Sequence, residues 1–266
     1  MICTRAKSPI LRASGGVRWL LLCKSDPHNP KGFPFGGSLI LNLLSKNKGY
    51  TFLRTYLRIY HQEVNRGLGE ALRIGSAHCT GDYIFRMDSD DISHPQRFEK
   101  QAAYVKEHPE IDALGTDISE FQISIDEDMR VRSCPMSHKD IVHMEKSRNP
   151  MNHVTVCIKR TALEACGGYE TLLLLEDYFL WLKMIVAGCQ LANMHESLVF
   201  VRVGNGFDNK RSSKVRIQGW KVLQDYMRMN KLIGPFSAWK NMIAIRLFVT
   251  TPPKLKALLY KKILRK

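Results

Sequence analysis

Three carboxylates lie within four positions of the stretch IFRMDSDDISHPQRF, residues 84 to 98. Carboxylates this close repel one another, and the pKa of at least one rises unless a cation neutralises them. Asp88 and Asp90 are two apart, so an extended chain would place both beside one cation, with Asp91 turned towards the next helix. Hard ions such as Mg²⁺ or Mn²⁺ prefer carboxylate oxygen and complete their shell with substrate phosphates. The stretch predicts a divalent-metal site for a diphosphate substrate; the alternative is a solvated acidic turn that caps a helix.

A second carboxylate pair, Glu176 and Asp177, lies inside LLLLEDYFLWLKMI. Apolar residues on both sides predict that the pair is partly buried at the start of a helix. Burial raises the pKa of a carboxylate and makes it usable as a general base. The alternative is an acidic pair that only stabilises the helix N-terminus. A metal site and a separate base together indicate sugar or phosphoryl transfer.

Strands alternating with helices must position these groups. Helical patterns occur in NRGLGEALRIGSAHCT, HPQRFEKQAAYVKEHPE, HKDIVHMEKS and LLLLEDYFLWLKMIVAGC. Strand patterns occur in GDYIFRMD, IDALGTDISEF and QLANMHESLVFVRV, and HVTVCIKRTALEACGG runs from strand to helix. This alternation predicts an α/β fold with a largely parallel sheet and flanking helices. Ligands bind beyond the carboxyl ends of strands in such sheets, where YIFRMDSDD puts its acids.

Bulk properties limit the class of protein. The chain has 266 residues, of which 44% are apolar, enough for a real core. No apolar run is long enough to span a bilayer, and the start lacks a signal-peptide pattern, so we expect a cytoplasmic protein. Seven cysteines without C-x-x-C pairs indicate reduced thiols rather than disulfides or structural zinc.

The net charge of +15 is concentrated at the two ends of the chain. Residues 1–60 hold ten Lys or Arg and one acid, residues 61–206 hold fifteen and twenty-two, and residues 207–266 hold fifteen and two. We therefore expect three regions: an atypical N-terminal segment, a catalytic body and a basic helical tail. From Lys231 onward, cations alternate with apolar residues, which predicts basic amphipathic helices lying on an anionic membrane surface. The alternative is a helical pair packed on the body.

Several stretches together resemble the family 2 inverting glycosyltransferases of bacterial polysaccharide synthesis. They are NRGLGEALRIGSAHCTGDYIFRMDSDDISHPQRFEKQ, IDALGTDISEF, RNPMNHVTVCIKRTALEACGGYE, LLEDYFLWLKMIVAGCQLAN and VFVRVGNG. The likeness is to the branch that makes capsular, amylovoran-like or lipopolysaccharide chains, and it runs from about Asn65 to Gly206. It implies a GT-A fold, a nucleotide-diphosphate sugar donor, a saccharide or lipid-linked acceptor, and Mg²⁺ or Mn²⁺. It also implies work at the inner face of the plasma membrane, with no nucleic-acid partner.

The resemblance assigns roles to particular residues, including the acids described above. Asn65, Gly67, Asp88, Asp91 and Arg202 would bind the nucleotide and its diphosphate. Asp88 and Asp90 would bind the metal, and Asp90 would be its principal ligand. Asp177 of the pair with Glu176 would be the catalytic base, and Trp181 would wall the acceptor site. His153 would line the acceptor or phosphate side, although a single His is more often a buried structural residue.

Two other classes of protein remain open at this point. MDSDDI also fits the nucleophile motif of haloacid dehalogenase phosphatases, although the later acidic pair of those enzymes is missing. A non-catalytic basic protein that binds a membrane or nucleic acid is the third interpretation. Residues 1–60 lack the opening strand and Asp-rich turn of the glycosyltransferase family, so this segment looks foreign to the family or frame-shifted.

Overall fold

The computed structural model describes residues 2–4, 18–21, 57–60, 64, 66–88, 91–125, 129–172, 174–203 and 214–251. The strands are β1 (Ile2–Thr4), β2 (Arg18–Leu21), β3 (Leu57–Ile59), β4 (Tyr83–Phe85), β5 (Ile92–Ser93), β6 (Ala113–Phe121), β7 (Arg130–Arg132), β8 (Cys157–Lys159) and β9 (Leu191–Arg202). The helices are α1 (Leu68–Ala77), α2 (Arg97–Glu107), α3 (His138–Glu145), α4 (Arg160–Ala165), α5 (Glu176–Val186), α6 (Lys214–Met229) and α7 (Pro235–Thr250). A short 3-10 helix covers His153–Thr155. Asn65 and Asp90 lie outside the described residues.

One sheet organises the fold, in the order β3-β2-β1-β4-β8-β6-β9-β5, with β7 paired to β6. The α/β class predicted from the sequence is confirmed, but the expectation of a largely parallel sheet is wrong for the described strands. Only β2 with β3 and β6 with β9 are parallel, and the other six pairs are antiparallel. Two of these six pairs arise because β8 enters the sheet between β4 and β6 and runs opposite to both.

Alternate residues of the central strands pack into two apolar layers, one on each face of the sheet. Ile84, Ala113 and Ile158 contribute to a cluster with Leu180 and Trp181 of α5. Their sequence neighbours Phe85, Leu114 and Cys157 face a second cluster that includes Val105 of α2. Side chains of a strand alternate between its faces, so each strand contributes to both layers. All nine residues of β6 are buried, which puts this strand at the centre.

The C-terminal helices extend the core on the outer side of α5. Leu223 and Met227 of α6 pack against Leu175, Tyr178 and Leu182 in a third apolar cluster. Edge-to-face contacts join Tyr178 to Trp220 at 5.3 Å and Phe179 to Tyr226 at 5.1 Å between ring centroids. The tail therefore begins as a helix packed on the body.

The expected amphipathic character is wrong for the second tail helix. Ala238 of α7 is buried against the body, whereas Phe236, Trp239 and Leu247 are exposed. Apolar side chains thus occupy both sides of α7, and its few charges do not form one polar face. No helix in the described part of the chain is long and apolar enough to cross a membrane.

Five of the cysteine side chains that the structure describes are free thiols. They are Cys79, Cys134, Cys157, Cys166 and Cys189. Burial raises the pKa of Cys134 and of Cys189 to about 11, so both thiols stay protonated at neutral pH.

Candidate active site

The acidic turn follows β4 directly and carries its own counterion. Arg86, the first residue after the strand, is buried and donates a hydrogen bond from its backbone N–H to the carbonyl of Val156. Its Nη2 donates to Oδ1 of Asp88 at 2.6 Å. The Asp88 side chain keeps 26% of its surface exposed. The buried guanidinium of Arg86 therefore holds one carboxylate oxygen of Asp88, while part of the Asp88 side chain stays open to solvent.

A second arginine lies under the same turn. Arg97, the first residue of α2, is fully buried and donates from Nη2 to the carbonyl of Arg86 at 2.8 Å. Its Nε donates to Oε1 of Gln101 at 3.0 Å. Burial lowers the pKa of Arg97 to about 10, so the side chain is still charged at neutral pH. Two buried cations thus offset the acids of this turn, a compensation that the sequence pattern alone did not reveal.

Asp91 connects the turn to the end of β9. The Asp91 side chain is buried, and its Oδ1 accepts a hydrogen bond from the backbone N–H of Arg202 at 3.2 Å. The guanidinium of Arg202 lies 4.6 Å from the ring centroid of Phe121, and its Nη1 donates to the carbonyl of Ile123. The structure therefore brings Asp91 to the backbone of Arg202, while the Arg202 side chain is engaged with the end of β6.

The donor chemistry of this turn suits a hard divalent cation. Carboxylate oxygens are the ligands that Mg²⁺ and Mn²⁺ prefer, and Asp88 presents its carboxylate at the surface. One Asp88 oxygen is engaged by Arg86, so a cation would have to share this carboxylate with the guanidinium. Within the described residues no group of three His, Cys, Asp or Glu side chains has metal-site geometry. Asp90, the predicted principal ligand, lies outside those residues.

Asp177 occupies the first turn of α5 and is held through both carboxylate oxygens. Its Oδ2 accepts from Nδ2 of Asn149 at 2.7 Å, and its Oδ1 accepts from the backbone N–H of Tyr178 at 2.8 Å. Asn149 is itself oriented, because its Oδ1 accepts the backbone N–H of Met151 at 3.2 Å. Each oxygen keeps a further lone pair. Asp177 is partly exposed, whereas the neighbouring Glu176 is buried.

A third carboxyl group, which the sequence analysis missed, lies behind Asp177. Glu145, the last residue of α3, is buried, and neither of its carboxyl oxygens has a hydrogen-bond partner in the part of the chain that the structure describes. The hydroxyl of Tyr178 donates to the backbone carbonyl of Glu145 at 2.5 Å. Burial, and secondarily the charge of Asp177, raise the pKa of Glu145 well above its usual value.

Replacing Glu145 by Gln is expected to change how stability depends on pH. The folded state holds the Glu145 proton more tightly than the unfolded state, so the wild type loses stability as pH rises above about 4.5. Glu145→Gln removes this loss, and its unfolding free energy relative to wild type should increase by up to about 1.4 kcal/mol per pH unit. Urea titrations from pH 4.5 to 7.5 measure the difference. Glu99→Gln, on the exposed side of α2, is the matched control, and equal slopes for both variants would contradict the expectation.

Tyr169, His153 and Trp181 form a buried aromatic group in the core. The Tyr169 hydroxyl is 2.9 Å from Nε2 of His153, and the His153 ring contacts Trp181 edge to face at 5.8 Å. Burial raises the pKa of Tyr169, the charge of Arg86 opposes this shift, and the charge of Asp177 adds to it. His153 and Trp181 are buried in the core and do not form an open wall in this structure.

The start of α1 packs against the start of α5. Gly67 precedes α1 with φ 90° and ψ 172°, a backbone conformation available essentially to glycine alone. Gly69, inside the first turn of α1, lies close to the segment that leads into α5. A Cβ added to Gly69 would be 2.2 Å from the carbonyl oxygen of Glu170 and 3.2 Å from Cβ of Glu176. The glycines of NRGLGEAL therefore let the helix approach the acidic pair.

Gly69→Ala is expected to destabilise the fold by about 1–3 kcal/mol, the usual cost of overpacking. Alanine gains about 1 kcal/mol of helix propensity over glycine. The clash is with the Glu170 backbone at 2.2 Å, which moves only if α1 separates from the segment between α4 and α5, and we expect it to dominate. Gly234→Ala is the control, because no atom lies within 4 Å of a Cβ built there. Urea unfolding compares the two; equal stability would contradict the close approach.

Comparison with known proteins identifies the family of this site. The family model described as "Glycosyl transferase family 2" matches residues 45–167, a range that includes the acidic turn and Asn149. A UDP-Gal:alpha-D-GlcNAc-diphosphoundecaprenol beta-1,3-galactosyltransferase of Escherichia coli is 31% identical over 217 residues, which are 80% of this chain and 78% of that protein. The chain belongs to glycosyltransferase family 2. The resemblance predicted from the sequence is confirmed, and the family assignment gives no support to the phosphatase alternative.

Other similarities of this family 2 chain agree with that assignment. The amylovoran biosynthesis glycosyltransferase AmsE of Erwinia amylovora is 36% identical over 170 residues, covering 64% of this chain. The chain spans only 61% of the length of AmsE. The crystal structure of Staphylococcus aureus TarS 1–349 in complex with UDP-GlcNAc has a TM-score of 0.57 at 13% identity, covering 92% of this chain and 66% of the TarS 1–349 chain. That likeness concerns the fold and confirms the expected GT-A architecture.

Proposed function

We propose that this chain transfers a sugar from a nucleotide-diphosphate donor to a saccharide or lipid-linked acceptor, with inversion, in bacterial surface polysaccharide synthesis. The observation that carries the proposal is the placement of Asp177 in a family 2 chain. It lies partly exposed at the start of α5, and Nδ2 of Asn149 donates to its Oδ2 at 2.7 Å. A general base and a diphosphate-side acidic turn are the two components that such a reaction requires.

The reaction is a single displacement. Asp177 takes the proton of an acceptor hydroxyl while that oxygen attacks the anomeric carbon from the side opposite the nucleoside diphosphate. The new glycosidic bond forms as the bond to the diphosphate oxygen breaks, so the anomeric centre inverts. The hydrogen bonds from Asn149 and the Tyr178 backbone hold the carboxylate in one orientation, which a positioned base requires.

The acidic turn would hold the donor's diphosphate. Asp88 and Asp90 would bind Mg²⁺ or Mn²⁺, which neutralises charge that develops on the leaving diphosphate. Arg202 would contribute a positive charge near the end of β9, where Asp91 already binds its backbone. Asn65 and Gly67 would border the nucleotide at the start of α1.

The acceptor side is proposed to lie near Trp181 and His153. Both are buried here, so acceptor binding would require the segment above them to move aside. The name of the E. coli relative describes a diphosphoundecaprenol-linked acceptor, which supports a lipid-linked acceptor for this chain.

A donor screen tests the proposed function. The purified chain is incubated with UDP-, GDP-, dTDP- and CMP-linked sugars and Mn²⁺ or Mg²⁺, and release of the nucleotide is followed. We expect metal-dependent release from one donor, faster with an acceptor present. Turnover of simple phosphate esters, with no release from any nucleotide sugar, would contradict the proposal in favour of a phosphatase. UDP-sugars are the first donors to test, because the TarS structure was solved in complex with UDP-GlcNAc.

We also infer that the protein works at the cytoplasmic face of an anionic membrane. Residues 207–266 carry fifteen Lys or Arg and two acids, which favours contact with anionic headgroups. Sedimentation with anionic vesicles at low and high salt tests this location.

A further inference from the structure

One side of α7 presents a continuous apolar surface to solvent. We call this surface the outer stripe and define it as Phe236, Trp239, Ile243 and Leu247. Their exposed fractions are 72%, 60%, 37% and 63%. At 3.6 residues per turn the four side chains fall on one face of the helix. The rings of Phe236 and Trp239 stack on one another, with centroids 5.8 Å apart.

The opposite side of α7 is already occupied. Ala238 is buried, and Nδ2 of Asn241 donates to the carbonyl of Lys146 at 2.8 Å and to Oε1 of Gln224 at 2.9 Å. Lys146 follows α3 in the body and Gln224 lies in α6 of the tail, so α7 is attached to both. A helix that is apolar on both sides is normally buried on both sides. The outer stripe therefore lacks a partner within the described part of the chain.

We propose that the outer stripe inserts into the headgroup and upper acyl region of an anionic lipid bilayer and thereby anchors the protein. The proposal rests on the proposed function, because a lipid-linked acceptor lies in such a bilayer. It differs from a purely electrostatic attachment, since most of the binding free energy would come from the four apolar side chains.

The composition of the stripe fits this partner. Trp and Phe are favoured at the level of the headgroups, and apolar side chains on one helix face bind in the interface plane. Lys240 and Arg246 are exposed and flank the stripe on its two sides, where their charges can reach headgroup phosphates. The cations thus fit the headgroup layer of an anionic bilayer, and the apolar side chains fit the upper acyl layer.

The charge of the tail disfavours a second copy of this chain as the partner. After Asp225 the sequence contains ten Lys or Arg and no acid. Pairing two such tails would bring like charges together, whereas a lipid surface that carries negative charge compensates them.

Vesicle binding by the full-length chain tests the proposal. Wild type is compared with Phe236→Ser/Trp239→Ser on vesicles of phosphatidylglycerol and phosphatidylethanolamine in 0.5 M salt, where exposed charges are strongly screened. We expect the double variant to bind at least about 100-fold more weakly, because two large apolar side chains no longer leave water. Ile123→Ser/Val131→Ser is the matched control, since both residues are exposed apolar side chains away from α7, and it should bind like wild type.

Fluorescence assigns the insertion to the stripe. Lipids with brominated acyl chains should quench part of the tryptophan emission of wild type, and Trp239→Phe should remove the quenched part while preserving binding. Circular dichroism and thermal unfolding verify that each variant is folded.

Three results would overturn the proposal. One is equal vesicle binding by wild type and the stripe variant. The second is Trp239 emission that acrylamide cannot reach in the absence of vesicles, which would mean that this chain already covers the stripe. The third is a dimer, seen by light scattering, that dissociates in the stripe variant, which would make a second copy the partner.

Nucleotide release with a water-soluble acceptor separates this proposal from the proposed function. The stripe variant should retain the wild-type rate in that assay, because none of its changes touches the active site. A wild-type chain that binds vesicles through the stripe and releases no nucleotide from any donor would leave the anchor standing and remove the proposed function.

Discussion

Asp177→Asn is expected to reduce sugar transfer by about 10²- to 10⁴-fold, the span of a positioned general base, and to leave donor binding nearly unchanged. The amide has nearly the same shape and can still accept a hydrogen bond from Asn149, so the local fold should persist. It cannot take the proton of the acceptor hydroxyl. Initial rates with donor and acceptor measure the loss, and calorimetric titration with the unreactive nucleoside diphosphate measures binding.

Glu176→Gln is the matched control for this change. Glu176 is adjacent in sequence but buried, so its carboxyl group has no open path to an acceptor. We expect a smaller loss than for Asp177→Asn. If Glu176→Gln abolishes transfer and Asp177→Asn does not, the base is wrongly assigned although the family is correct.

Asp90→Asn is expected to remove metal-dependent donor binding. Loss of a direct carboxylate ligand should weaken Mn²⁺ affinity by at least about 10- to 100-fold, the range that even supporting residues of a metal site reach. Titration of Mn²⁺ by electron paramagnetic resonance, with and without nucleoside diphosphate, measures this effect without relying on activity. Unchanged Mn²⁺ affinity would show that the acidic turn is only a helix cap.

Asp88→Asn gives a second measure of the same turn, with a different structural cost. Asp88 neutralises buried Arg86 at 2.6 Å, and removing one partner of a buried ion pair leaves the other uncompensated. We therefore expect Asp88→Asn to lose both metal affinity and thermal stability, whereas Asp90→Asn loses metal affinity. Glu107→Gln, exposed at the end of α2, controls for the loss of one negative charge.

The elements that carry the site were predictable from local sequence. The apolar spacing of NRGLGEAL and the run before AGC predicted α1 and α5, because helix-period patterns of this length have few alternatives. The direction of the strands was not predictable. Whether β8 pairs parallel or antiparallel with β4 and β6 depends on how the chain returns across the sheet, which the composition of a three-residue strand does not record.

The candidate chemical groups were also visible in sequence, because clustered acids and an acidic pair within an apolar run are local signals. The residues that hold these groups and helices in place were not visible in the sequence. Asn149 reaches Asp177 from 28 positions away, and Asn241 reaches Lys146 from 95 positions away. Such contacts have no periodic or neighbouring signature.

The sequence by itself determined the family, the order of helices and strands, and the residue types available for metal binding and base catalysis. Only the tertiary structure decided that Arg86 neutralises Asp88 from below, that His153 and Trp181 are packed in the core, and that α7 is apolar on two sides. Local patterns record which face of an element is apolar, but the partner of that face is chosen by packing. Whether a given charge or apolar side chain is buried or exposed depends on how segments distant in sequence pack together, and its function depends on that packing.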